Sequence, residues 1–570
     1  MSKRVKKEKL PLLKGQVSLK NKLAFACGDI FGGGSFNIIN FLFTPFLTLV
    51  VGLKMVYLTP ILLFTKIWDG IIDPFIGKIT DGKTPGRFGK RRIFMLICAP
   101  LVLITFVLLF FPWNLVTDSD ALKCVFVVIV YMLYATAQSF VLIPYYSHAS
   151  EMTDDFTARN NTNAVRLAFS ILSSLVCVAV PGVIASPTKA DNGVSYIVMA
   201  SIFGAIFMVS ILITALFSRE QVVTPPVKTK FNLKVFVRPL KMRTYRKYLG
   251  MQMCASFGMA VMSSFFFTLC DFYLRQYSYY AVTAGAASSR FPIATVAAAA
   301  MFIAQIVALP IYLKLIKIKS KRFAYITGAI VWIVVAAAML LLPAEGAVAI
   351  DGVTTTDFVT SQGERVSTVA GAPNWLIIAF GLLLGLGIGG TVFVPHSAFG
   401  DVCDVGELFF GERTEGNFSG LTNFLNTTAQ AIGLAIPPLI IGLTGYVETQ
   451  YVTLERFAEL QGMSAIEQAQ ELGMALDNFK ASVGNGNVQL LPLSQPDNAK
   501  TAILITFTVL PIVIMAFAIW IASRYKLTSS LQKQIVQLNE TADGSEQFAE
   551  QRRELLSQVG ENVSKLPEIK

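Results

Sequence analysis

The sequence predicts an all-α integral membrane protein that crosses the bilayer twelve times, as two six-helix halves with both termini cytoplasmic. Three observations carry that prediction. Of the 570 residues, 54% are hydrophobic and only 15% charged, too apolar for a soluble protein of ordinary composition. Apolar runs of about 20 residues recur along the chain, each long enough to cross ~30 Å of hydrocarbon. The charge also alternates from loop to loop. Lysine and arginine crowd the N-terminus and the loops 80–92, 219–247 and 314–322, whereas loops 113–123, 187–193 and 344–373 hold one basic residue each. By the positive-inside rule the basic loops and both termini face the cytoplasm, which requires an even number of spans. The net charge of +12 is therefore a topology signal with some attraction to anionic lipid, and not a nucleic-acid surface.

The elements follow in order. Residues 1–22 form a basic cytoplasmic N-terminus that lacks the apolar core and cleavage site of a signal peptide. The first bundle, 23–217, holds candidate spans near 23–51, 55–79, 93–112, 121–147, 164–186 and 194–217, the glycine-rich first being the least regular. A basic loop, 218–247, leads into a second bundle, 248–525, with spans near 248–275, 288–316, 322–343, 374–398, 417–446 and 500–525. Six plus six is the layout of parallel-repeat transporters, which bind substrate near the midplane between halves. Two polar external segments, 344–373 and 447–499, are each either a cap over the outer mouth or an inert insertion; the second is expected to hold a helix over Leu454–Phe479. The tail, 526–570, is helix-prone, charged and cytoplasmic, a partner-binding or merely solvated helix. The seven cysteines are scattered without CxxC or Cys/His spacing and read as small core residues, so no metal or cofactor is expected beyond a coupling ion. With no Walker A loop, HExxH or GxSxG, the chain is not expected to be an enzyme.

One stretch carries chemistry. Trp68-Asp69-Gly-Ile-Ile-Asp73-Pro74 sets two carboxylates inside an otherwise apolar span. Each costs roughly 2.5–3.5 kcal/mol at the bilayer centre. Spacing of i and i+4 puts Asp69 and Asp73 on one helix face, about one turn apart. Two like charges that close favour a bound cation or a shared proton. Lys66, one turn earlier, can pair with one of them; a buried salt bridge that only locks helices together is the competing reading. Other polar groups are costly in lipid and become cavity candidates: Asn37, Asn40, Gln138, Asp271, Arg275, Gln305 and His396. A titrating His396 would suit proton coupling, and a hydrogen-bonded structural histidine is the alternative. Tyr145, Tyr146, Trp68 and Trp375 could stack on a sugar face or simply pack and anchor. Gly32-Gly33-Gly34 favours close helix packing. The loops after the fourth and tenth spans echo one another, with Glu151, Asp154, Asp155 and Arg159 in one and Asp401, Asp404, Glu407 and Arg413 in the other. Matched placement reads as inter-helix latches; solvated loop charges are the alternative.

Trp68-Asp69-x-x-x-Asp73-Pro74-x-x-Gly77-x-x-x-Asp81, then Arg87-x-Gly89-Lys90-x-Arg92, resembles the glycoside–pentoside–hexuronide:cation symporters, the melibiose-carrier branch of the major facilitator superfamily. Lys22-Leu23 through Gly28-Asp29, Val50 to Leu53, Pro144-Tyr145, Glu151, Asp154-Asp155, Arg159 and Arg166 resemble further family segments in order. So do Asp401-x-x-Asp404-x-x-Glu407, Gly411, Arg413 and Glu415-Gly416. The likeness covers most of 20–446 and the last span. It implies symport driven by Na⁺, H⁺ or Li⁺, with Asp69 and Asp73 at the cation, Lys66 on a usually basic position and Arg166 near the sugar. It implies a cytoplasmic gate of Asp81, Arg87, Glu151, Arg159, Asp401, Asp404 and Arg413. Asp29 matches the family's Gly-Asp and either faces the cavity or caps a helix end.

Departures accompany the likeness. Gly33 and Leu142 stand where the melibiose carriers keep sugar-site aspartates, Tyr146 replaces a tryptophan and Thr427 a helix-11 lysine. Melibiose is thus disfavoured, and a neutral or anionic ligand such as a hexuronide is favoured. The expected function is cation-coupled symport of a glycoside, pentoside or hexuronide by a monomer in the cell membrane. The expected substrate contacts are Asp29, Lys66, Gln138, Tyr146, Arg166, His396 and Thr427. A lysolipid carrier of the same fold and a non-transporting sensor or scaffold are the alternatives.

Overall fold

The computed structural model describes residues 17–83, 89, 91–152, 156–185, 193–218, 236–274, 293–342, 358–360, 374–411, 415–447, 450–453, 487–492, 495–540 and 546–562. The first span is irregular, as expected. Helix α1 (Leu19–Cys27) starts at Ser18, whose hydroxyl accepts the Asn21 N–H at 3.3 Å, and breaks at Gly28. From there α2 (Asp29–Pro45) runs on into a π-helical turn at Phe46–Val50. Next come α3 (Met55–Gly82), α4 (Arg92–Leu109), α5 (Asp120–Met152), α6 (Phe156–Ala179), the single turn α7 (Pro181–Ile184) and α8 (Val194–Phe217). The second group is α9 (Arg243–Phe272), α10 (Ile293–Ile318), α11 (Lys321–Met339), α12 (Asn374–Phe410), α13 (Glu415–Leu443) and α14 (Asp497–Ser523). Two tail helices follow, α15 (Ser529–Glu540) and α16 (Glu546–Val559).

Among the described residues, eleven helices are long and apolar enough to cross a membrane. The remaining expected span, 164–186, falls on α6 and α7, where the apolar stretch Ala168–Ile184 is shorter. Its opening turns carry Arg159, Asn160, Asn161 and Asn163, which no lipid-facing helix would hold cheaply. The helix packs on α1, α2 and α10, while Leu172, Val176 and Val180, one turn apart, keep an exposed apolar face.

Helix pairing divides the bundle. In the first group α4 packs on α5 and α8, α3 on α5, and α6 on α1 and α2; in the second α12 packs on α10 and α11, α9 on α13 and α14, and α11 on α14. Among the described residues, three pairs carry most of the contact between the groups: α2 with α9, α3 with α13, and α6 with α10. Counting spans within each group, these join first to first, second to fifth and fifth to second. Exchanging the two groups maps the set onto itself, the signature of a parallel repeat.

The joints gather at one end, opposite the basic loops. Thr59 Oγ1 donates to Ala435 O at 3.0 Å, and Thr44 Oγ1 lies 3.1 Å from Ser264 Oγ. A Cβ on Gly442 would stand 2.9 Å from Val56 N, and one on Gly182 would stand 2.8 Å from Thr295 Oγ1. Along α3 toward the other end, a Cβ at Gly77 or Gly82 would meet nothing within 4 Å.

The two polar segments are not separate. Three short strands, β1 (Phe358–Thr360), β2 (Gln450–Thr453) and β3 (Asn487–Pro492), form one antiparallel sheet in the order β1-β3-β2. Thr360 pairs with Leu490, as does Gln450 from the other side. The neck of the second segment is closed by Gln495, whose side-chain amide accepts the Val447 N–H and donates to Val447 O, both at 2.8 Å. The helix expected over Leu454–Phe479 lies outside the described residues.

The tail docks at the opposite end of the second group. Arg552 donates to Leu408 O at 2.7 Å and to Phe409 O at 2.9 Å, satisfying carbonyls that the last turn of α12 leaves orphaned. Gly560 (φ +92°) ends α16 in the left-handed region and turns Glu561 back. Glu561 accepts the Arg243 and Thr244 N–H groups at 2.8 and 2.6 Å, capping α9 where Met242 has no side-chain acceptor to offer.

Candidate functional site

The acid pair sits mid-helix on α3, facing α2 and α5. Lys66 Nζ donates to Asp69 Oδ2 at 3.1 Å, with side chains only 8% and 11% exposed. Asp69 Oδ1 is buried with no hydrogen-bond partner among the described residues. Asp73 Oδ1 accepts a 2.6 Å bond from Ser139 of α5, and Trp68 Nε1 donates to Thr136 on the same helix at 2.9 Å. The cluster thus holds one ammonium and two carboxylates, with formal charge −1. A hard monovalent cation would find the free Asp69 oxygen, the Asp73 carboxylate and the Ser139 hydroxyl there, all oxygen ligands. A buried unpaired carboxylate oxygen is costly unless something binds it.

Beside this cluster, between the two groups of helices, lies a cavity of about 130 Å³. Its polar walls are Asn40 of α2, Gln252 and Ser256 of α9, His396 of α12, and Asn426 and Gln430 of α13; Phe36 and Met259 supply apolar surface. Gln252 Nε2 lies 3.4 Å from His396 Nε2. Gln252 Oε1 and Asn426 Oδ1 are buried without a partner among the described residues. Asn37 turns away and donates to Gly33 O of its own helix at 2.8 Å. Trp375, 69% exposed, does not line the cavity.

A second cluster lies where α5 and α6 cross the start of α2. Asp29 accepts a hydrogen bond from Ser170 and is within electrostatic reach of Arg166, while Gly28, not Asp29, caps α2 and has no side-chain bond there. Arg166 stands over the Tyr146 ring at 5.1 Å and also acts electrostatically on His396. Its Nε is buried and unpartnered among the described residues. Tyr146 is 48% exposed. Gln138 of α5 donates to Ser35 at 3.4 Å.

The structure therefore brings Asp69, Asp73 and Lys66 together, and Asp29, Tyr146 and Arg166 together, with His396 in the cavity wall. Thr427 is half-buried but does not line the cavity; its neighbours Asn426 and Gln430 do. Of the gate residues, Asp401 pairs with Lys321 at 2.5 Å, and Lys321 also reaches Ser397 O at 2.8 Å. Asp404 accepts from Gln532 of α15 at 3.2 Å, while Asn539 donates to its carbonyl at 3.0 Å. Both contacts stay inside the second group and its tail. Arg87, Arg413 and Arg275 lie outside the described residues, as do the side chains of Asp81, Glu151, Arg159 and Asp271. Ser139, Gln252, Asn426 and Gln430 were not singled out from sequence, although the three amides carry the same cost in lipid that marked Asn40 and Gln138; a lone serine carries no such mark.

Comparison with known proteins agrees with this layout. The family model described as MFS/sugar transport protein matches residues 24–529. An uncharacterized symporter, YjmB, of Bacillus subtilis (strain 168) is 24% identical over 81% of this chain and 91% of its own length. A glucuronide carrier protein homolog of Escherichia coli (strain K12) is 24% identical, over 77% and 87% respectively. A crystal structure of the nucleoside transporter NupG, in mutant form, superposes with a TM-score of 0.53 at 10% identity, covering 88% of this chain and 99% of that one, and so shares the fold. A multi-pass bundle of paired helix groups, matched over nearly its whole length by that family model, belongs to the MFS sugar transport family.

Proposed function

We propose that this protein is a secondary active transporter that couples entry of a monovalent cation to uptake of a glycoside, pentoside or hexuronide across the cell membrane. The observation that carries the reading is the buried Lys66–Asp69–Asp73 cluster, with formal charge −1 and a free carboxylate oxygen, beside a cavity between the two helix groups with six polar residues in its wall. One bound Na⁺ or proton neutralises it. Movement of one charge through ~100 mV supplies ~2.3 kcal/mol, enough for roughly 50-fold accumulation. In the cavity wall, amides, a histidine and a serine present both donors and acceptors to hydroxyl groups, with no carboxylate to repel an anion. Those groups support a polyhydroxylated ligand, while Phe36, Ala255, Met259, Ala260 and Val392 give the rest of the wall an apolar face. About 130 Å³ is below the roughly 300–1,000 Å³ of ligand clefts, so substrate entry requires the helix groups to part. Tight contacts at the end away from the basic loops support an inward-facing reading of the arrangement, and the transporter is read as a monomer with cytoplasmic termini.

The test is uptake into proteoliposomes of labelled glycosides, pentosides and hexuronides under imposed Na⁺ or H⁺ gradients, repeated in Asp69→Asn and Asp73→Asn. The expected result is gradient-driven accumulation in the wild type and only equilibrating exchange in either variant. Uptake indifferent to both gradients and both substitutions would leave the pair a structural salt bridge and end the symport reading.

A further inference from the structure

Phe36 belongs to both sites at once. On α2, its half-buried ring lines the cavity one helical turn from Asn40. The same ring lies under the Lys66 ammonium, 5.6 Å from nitrogen to centroid. Lys66 is buried, and its ammonium contacts this ring and Asp69 Oδ2, the latter at 3.1 Å. Its ammonium is therefore shared between a carboxylate on α3 and an aromatic face on α2. Phe36 thus touches the cluster and lines the cavity with one side chain.

We propose that Phe36 is the positioning residue that couples the carboxylate pair to the substrate cavity. A cation arriving at Asp69 competes with Lys66 for that carboxylate. The released ammonium needs a second acceptor in a place that water does not reach, and the negative face of the Phe36 ring provides one. The ring is then held by the ammonium on one side while forming the cavity wall on the other. Cation occupancy on α3 thus sets the position of a wall residue on α2 without any contact between cation and substrate. Without the ring, Lys66 stays on Asp69, the cation binds against it, and the wall no longer reports occupancy. The inference rests on the cation-symport reading of the same cluster.

The experiment uses purified full-length protein, wild type, Phe36→Leu and Phe36→Tyr. Uptake of Na⁺, Li⁺ and protons is followed by calorimetry and a pH-indicator dye. Binding of p-nitrophenyl glycosides and a p-nitrophenyl glucuronide is measured in the presence and absence of the cation that binds. Phe36→Leu keeps an apolar wall but removes the aromatic face. It is expected to weaken cation binding by about 2- to 30-fold, the span of a cation–π contact from exposed to desolvated. It should also bring the ratio of probe Kd without cation to Kd with cation close to 1. Phe36→Tyr, which keeps the ring, should keep the wild-type ratio. The inference is overturned if Phe36→Leu retains the wild-type ratio, or if Phe36→Tyr loses it equally, since the side chain then acts only as packing. If Phe36→Leu does not fold, the tyrosine variant still decides: a lost ratio overturns the proposal and a kept ratio supports it. A wild type that binds no cation, or whose probe binding ignores it, removes the symport reading itself, a different outcome from either.

Discussion

Gly33 explains a departure that the family resemblance left open. A Cβ at this position would run into Ser170 Oγ and stand 3.0 Å from the Ser170 carbonyl oxygen, which is backbone of α6 and cannot swing aside. Where the melibiose carriers place a sugar-site aspartate, this protein has used the space for helix contact. The nearby acid is Asp29, one turn earlier, held by Ser170 and facing Arg166. Gly33→Asp is therefore expected to destabilise by about 1–3 kcal/mol, the usual cost of overpacking, and to confer no melibiose uptake. Thermal unfolding in detergent and a transport assay check both halves; a variant as stable as wild type would mean that α6 yields more readily than its backbone contact implies. Ser139 and Gln252 make the complementary point. Each becomes meaningful only through its partner, Asp73 in one case and His396 in the other.

The tail helices matter as elements because of what they cap. Helix α9 begins without a side-chain cap of its own, and α12 ends with carbonyls that its own turns cannot satisfy. Glu561 and Arg552 supply both ends from more than 140 residues away in the chain. A carboxylate at a helix N-terminus and a guanidinium at a C-terminus also match the sign of the helix dipole. Glu561→Ala is expected to cost about 0.5–2 kcal/mol, the range for a lost N-cap. Arg552→Ala leaves two buried carbonyls unpaired and should cost about 1–3 kcal/mol. Melting temperatures of the detergent-solubilised variants test this. Unchanged values in both would show the tail to be merely resting on the bundle, as the solvated-helix alternative holds.

Across the whole molecule, alternating access predicts that the tight end must open. Thr44 of α2 and Ser264 of α9 meet there, hydroxyl to hydroxyl at 3.1 Å. Sulfur atoms in place of those two oxygens stand close enough for the ~2.05 Å bond of a disulfide to form after small side-chain rotations. Thr44→Cys with Ser264→Cys should cross-link on oxidation of the resting protein, lower uptake to background, and recover on reduction. Either single variant should transport. Uptake that persists through a completed cross-link would mean these groups do not part at this end during transport.

How much of this was legible beforehand follows from what each feature depends on. Span length, apolar runs and loop charge are local quantities, so the helical membrane class and the family could be read along the chain. The acid pair was equally visible, because a charge in hydrocarbon stands out and the i, i+4 spacing fixes a shared face. The free oxygen of Asp69, the serine on Asp73 and the meeting of Gln252 and Asn426 with His396, itself marked by its cost in lipid, were not, because they depend on how α3, α5, α9, α12 and α13 are rotated against one another. The joining of two polar segments in one sheet and the capping of α9 by Glu561 are pairings between distant parts of the chain, encoded in no local pattern. Sequence decides what each helix can bury, since hydropathy and periodicity are properties of neighbouring residues; packing decides which polar groups meet, since that is a property of helices brought side by side.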